Sequence, residues 1–156
     1  MARSISWTQT DLQRGSLRGL NGVGVVVESL QSDVERDGLT RSLIRTDTEL
    51  ALRQAGIRVL SEEESLNEPG SPYLYVNLST VKSAVLYAFT SYLYSLQISL
   101  RQDVTLTRDT NTKVSAMTWH TSVLGSVDAT KLENIRKTLR DSLNKFINDY
   151  LAANPK

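Results

Sequence analysis

The chain has no cysteine, which excludes disulfides, thiolate catalysis, iron–sulfur clusters and cysteine zinc sites while fitting a reducing cytoplasm and an oxidising periplasm equally. Its one histidine is His120, so no His-pair metal site and no His-x-x-x-His motif can be built within a single chain. Charge of neither sign is in excess: 18 basic against 17 acidic residues leave a formal +1, a field too weak to point to nucleic acid or an anionic membrane as partner. The longest apolar run is six residues, Ala84 to Phe89, far short of the ~20 that span a bilayer. Met1 to Gly15 is polar and lacks the apolar segment of an export signal. No P-loop, kinase, EF-hand or nucleophile-elbow pattern occurs. No cofactor or metal is therefore expected.

What is present is a clear β pattern between Tyr73 and Gly125. Tyr94, Leu96, Ile98 and Leu100 fall on one parity, continued by Gln102, Val104 and Leu106, while Ser95, Gln97, Ser99, Arg101 and Asp103 fall on the other. A period of two so cleanly divided predicts a half-buried strand with one face in a core and one in water. Before it, Leu74, Val76 and Leu78 alternate with Tyr73, Tyr75 and Asn77. After it, Val114 and Ala116 share one parity and Met117, Trp119 and Val123 the other, so either a bulge near Ala116 and Met117 or burial of both faces at the strand's middle is expected. The cluster Arg108 to Thr112 predicts the second turn of this meander. The first turn has no conventional chemistry, because Ala84 to Phe89 is apolar throughout.

The flanking segments predict one α/β domain of a size that supports a real core. Residues 1–19 are expected to form an extended arm with Trp7 as its docking point, and residues 20–156 the domain. Val23 to Val27 predicts a central strand buried on both faces, and Gly22 and Gly24 beside it predict close backbone packing. Leu39, Leu43, Ile44 and Leu52 predict a helix ended by Gly56, and Ile57 to Leu60 a short parallel strand. Ser61 before three glutamates predicts a capped short helix. Thr130 with Glu133 predicts a capping box, and Leu132, Ile135, Leu139, Leu143, Phe146 and Ile147 a long helix lying on the sheet. The expected fold is a mixed five-stranded sheet in the order strand, helix, strand, short helix, three-stranded antiparallel meander and long C-terminal helix, with helices chiefly on one face.

For function, the aromatic residues are the most informative. Six of the ten (two Trp, six Tyr and two Phe in all) lie between Tyr73 and Tyr94. Tyrosines on a sheet face suit protein contact, base stacking or self-association, and without basic neighbours or an RNA-binding signature protein contact ranks first. The candidate interaction surface is Tyr73, Tyr75, Val85, Leu86, Tyr87, Phe89 and Tyr92. The alternative to an open tip is that the arm around Trp7 covers it. From another class, His120 acting with a carboxylate such as Asp47 would make a small enzyme. The plainer expectation is that Asp47 pairs with an arginine and that His120 is structural. A nucleic-acid-binding domain is the third possibility.

Gly38-Leu39-Thr40, Leu52-Arg53-Gln54-Ala55-Gly56-Ile57, Pro72-Tyr73-Leu74-Tyr75-Val76, Trp119 and Phe146-Ile147-Asn148-Asp149-Tyr150-Leu151 resemble segments of small, uncharacterised bacterial proteins of the cell envelope. The element order is similar to the N-terminal domain of TolB and to CsgG-type and anticodon-binding-like α/β domains. The resemblance carries no active-site motif. It implies a periplasmic setting, with the cytoplasm as alternative, and a non-enzymatic role in binding or assembly through a protein partner or self-association, with possible peripheral envelope contact.

Overall fold

A computed structural model of the protein describes residues 9–85 and 89–155. Among these residues four strands form one mixed sheet in the order β1 (Gly24–Val27), β2 (Tyr73–Val85), β3 (Phe89–Leu106) and β4 (Asp109–Asp128). β1 runs parallel to β2, and the other pairs are antiparallel. Five helices accompany them among the described residues: α1 (Gln9–Gly15), α2 (Ser32–Arg36), α3 (Arg41–Gln54), α4 (Glu62–Asn67) and α5 (Glu133–Ala153).

The α/β class and the order of the large elements agree with the sequence pattern, but among the described residues the sheet has four strands where five are expected. Ile57 to Leu60 contributes only an isolated parallel bridge, Val59 to Val23. Gly56 follows the C-cap of α3 and Ser61 caps α4, so only four residues lie between these two stops and the chain leaves β1 almost as soon as it meets it. β1 is consequently an edge strand and not a central one. Val25 and Val27 are buried, whereas Val26 between them is 40% exposed.

Parity sorts the sheet into two faces. Leu74, Val76 and Leu78 of β2 and Leu96, Ile98 and Leu100 of β3 are fully buried beneath the helices. α5 seals this face with Ile135, Leu139, Leu143 and Phe146, each worth roughly 1.5–3 kcal/mol on burial. Phe146 meets Trp119 of β4 edge-on, with ring centroids 5.1 Å apart and planes at 73°. The expected capping box at Thr130 is absent. The Asp128 carboxylate instead accepts the Thr130 N–H at 2.8 Å and starts a 3-10 turn, Ala129–Lys131, that leads into α5. The box at α4 is complete, with Ser61 Oγ accepting from Glu64 N–H and the Glu64 carboxylate accepting from Ser61 N–H.

Residues 9–19 correct the expectation of an extended arm. Leu17 is fully buried, α1 is tied to α5 by Arg14 Nε to Asp149 Oδ1 at 2.9 Å, and the residues that follow the two helices meet through Asn154 Nδ2 to Leu17 O at 2.9 Å. Asp149 also accepts the Trp119 indole N–H at 2.9 Å, so one carboxylate joins α1, β4 and α5. Trp7 lies outside the described residues. The bulge is present: Leu100 pairs with Trp119 and Arg101 with Met117, leaving Thr118 as the extra residue. The turn between β3 and β4 is tighter than the polar cluster suggests, since Leu106 already faces Asp109.

Candidate functional site

Opposite the helices, β2, β3 and β4 present their second face to solvent. Its rows follow from register: Val81 opposes Leu93, Leu93 opposes Ser126, Ser95 opposes Leu124, Gln97 lies between Asn77 and Ser122, Ser99 lies between Tyr75 and His120, and Arg101 lies between Tyr73 and Met117. Small polar residues line the middle. At the end nearer the β2–β3 hairpin, Val81 is 65% exposed, Leu93 55% and Leu124 82%. Leu93 and Leu124 are diagonal cross-strand neighbours, close enough to touch, so three aliphatic side chains form one patch in water.

The candidate residues divide between the two faces. Tyr73 and Tyr75 lie on the open face and are half-buried. The Tyr75 hydroxyl donates to the Glu28 carboxylate, which holds that carboxyl below its usual range and raises the phenol. Its ring packs under the Arg101 guanidinium, 5.0 Å from the centroid, a cation–π contact that fixes both side chains. Between Tyr75 and His120, the Ser99 hydroxyl is buried with no hydrogen-bond partner among the described residues. Val85 and Phe89 pair across the base of the hairpin. Leu86 and Tyr87 lie outside the described residues.

Tyr92 does not belong to this surface. It is fully buried on the helix-covered face, and its hydroxyl donates to Asp37 Oδ2 at 2.7 Å beside Lys82 Nζ, also 2.7 Å from that oxygen. The hydrogen bonds from Lys82 and then Tyr92 keep the Asp37 carboxyl below its usual range, while burial and then Asp37 raise the Tyr92 phenol. In a strand the tyrosines at 73, 75 and 92 cannot all share a face, because the register pairs Lys82 with Tyr92 and so turns Tyr92 toward the core.

His120 and Asp47 are not brought together. His120 shares the open face with Ser99, and its Nδ1 lies 3.2 Å from the Gln13 side-chain amide of α1. Asp47 is on the helix side, where Arg136 of α5 grips it with Nε at 2.7 Å and Nη2 at 2.8 Å. That bidentate pair raises the Arg136 pKa and joins α3 to α5. Among the described residues no group of three His, Asp or Glu side chains converges as a metal site, and no helix is long and apolar enough to cross a membrane.

Pattern reading missed Val81, Leu93 and Leu124. Each was visible as an aliphatic residue on the polar parity of its strand, a departure from alternation that marks an apolar side chain turned to water.

No protein-family model matches the chain, and no curated protein matches it. Among solved structures, a minor lipoprotein from Acinetobacter baumannii is similar with 10% identity and a TM-score of 0.37, over 87% of this chain and 92% of that one. A likeness at that TM-score establishes neither fold nor function.

Proposed function

We propose that this chain is a non-enzymatic binding or assembly module of the bacterial envelope, acting through protein–protein contact on the open face of its sheet. The observation that carries this is the patch of Val81, Leu93 and Leu124, exposed on the face the helices leave bare. Soluble proteins seldom keep contiguous apolar surface without a use, and interface cores are poor in charge and rich in aliphatic and aromatic contact. Tyr73 and Tyr75 continue the same face, and Tyr75 is already held in place by Glu28 and Arg101, so little side-chain entropy opposes its engagement. The envelope setting rests on the sequence resemblance alone.

A photoreactive residue at position 93, introduced into the protein expressed from its own gene, tests both parts. The expected result is a discrete higher-mass adduct in the periplasmic fraction. In solution, Leu93→Ser with Leu124→Ser should abolish association while the melting temperature stays nearly unchanged. A protein that forms no adduct in the cell and is equally monomeric with and without these substitutions would overturn the surface. Confinement to the cytosol would overturn the setting.

A further inference from the structure

The outer edge of β1 is incomplete. Gly24 N–H donates to Pro72 O at 3.0 Å and Glu28 N–H to Val76 O at 2.9 Å, both toward β2, so strand alternation turns the backbone groups of Val23, Val25 and Val27 outward. Val23 is satisfied, with its N–H on Arg58 O at 3.0 Å and its carbonyl accepting from Leu60 N–H at 2.9 Å. The Val27 carbonyl accepts from Arg41 Nε at 2.7 Å. Val25 N–H, Val25 C=O and Val27 N–H have no partner among the described residues, although both side chains are buried. Unpaired edge groups of this kind are a template for pairing with another chain.

Beside Val25 lies a cleft of about 340 Å³ whose lining includes Val26, Leu60, Leu66, Tyr73, Arg41 and Arg45. It is the space that a fifth strand would fill had Ser61 not turned the chain into α4. We infer that this cleft receives the C-terminal residues of a partner polypeptide, which add a short strand to β1 and place their terminal carboxylate at Arg41 and Arg45. Adding a strand to an edge and capturing a chain terminus are both established modes of peptide recognition. The volume is at the small end of the ~300–1,000 Å³ range of ligand sites, enough for a chain end. Arg41 already occupies the Val27 carbonyl, so a strand running past Val27 would have to displace it, whereas a chain that ends there meets its charge. Arg45 Nε is already paired with Glu49 Oε1 at 2.8 Å, so the attraction for an anion comes from Arg41, which makes no salt bridge among the described residues, and from the remaining N–H groups of Arg45. Val26, Leu60 and Leu66 provide apolar contact for the side chains that precede the terminus.

The site is separate from the patch at Leu93 and Leu124, with Tyr73 the residue that the cleft shares with the open face, so substitutions at 93 and 124 test the two readings independently. The test is to pass a pool of hexapeptides, randomised at the last three positions and half of them C-terminally amidated, over the immobilised full chain and to identify retained peptides by mass. Free acids should be enriched about tenfold over amides, the factor that corresponds to 1.4 kcal/mol. The best retained peptide should slow amide exchange at Val25 and Val27. Arg45→Gln should remove most of the enrichment while lowering the melting temperature only slightly, since the ion pair with Glu49 that it also breaks is exposed at the arginine, and Leu93→Ser with Leu124→Ser should leave it intact. No enrichment, equal retention of acids and amides, or protection at the open face in place of Val25 and Val27 would each overturn the inference.

Discussion

Tyr94 lies directly over Gly125. The two are register partners on β3 and β4, and a Cβ at position 125 would sit 2.6 Å from both Cζ and the hydroxyl oxygen of Tyr94. The missing side chain lets the ring cross the strand and bring its hydroxyl within 3.1 Å of Thr138 Oγ1 on α5. A glycine that weakens β4 as a strand thus makes room for a contact between sheet and helix.

Gly125→Ala should destabilise the fold by about 1–3 kcal/mol, the usual cost of overfilling a packed site. Tyr94→Leu in the same chain should recover part of that loss, since the clash goes with the ring. Urea unfolding of the two single variants and the double variant measures the coupling. Additive losses would show that the ring moves aside without cost.

Asp47 and Arg136 form a bidentate pair between α3 and α5, with the guanidinium 39% and the carboxylate 15% exposed. Asp47→Asn should cost about 1 kcal/mol, more than a fully exposed ion pair but reduced by solvent screening at the arginine. A double-mutant cycle with Arg136→Met isolates the interaction. A coupling energy near zero would mean that packing alone joins the two helices.

Asp37 should contribute to acid sensitivity. Its folded pKa lies below its unfolded value of ~3.9 because Lys82 and Tyr92 donate to it. Its stabilisation is therefore fully present above that unfolded pKa and disappears as pH falls through the lower folded value. Lys82 and Tyr92 have raised pKa values, so their contributions are present below their unfolded values near ~10 and lost as pH rises through the folded ones. Asp37→Asn should flatten the decline in stability below about pH 4 without changing the m-value. An unchanged acid limb, followed by denaturant unfolding across that range, would show that other carboxylates set it.

Much of the architecture was legible because it is written in local periodicity. The even positions from Leu96 to Leu100 and the stripe from Ile135 to Ile147 each repeat with the period of their element and carry their own burial pattern. The helix α1 was hidden for the opposite reason: it has seven residues and its one leucine, Leu12, is exposed, so no apolar stripe announces it. Its order comes from Arg14, Gln13 and the following Leu17, whose partners lie more than 100 residues away.

The candidate surface shows the same division. Parity alone placed Tyr73 and Tyr75 on one face of β2. Whether Tyr92 shared that face depended on the register between β2 and β3, a pairing of distant residues in which a shift of one would turn every side chain over. The sequence by itself determined the strand and helix periods, the amphipathic cover supplied by α5 and the position of the bulge to within two residues. Only the tertiary structure decided that β1 is an edge strand with backbone groups unpaired among the described residues, that Tyr92 is core, and that Val81, Leu93 and Leu124 meet in water. The reason is physical: period and capping depend on neighbours along the chain, whereas edges, pairing and exposure depend on which distant segment arrives alongside.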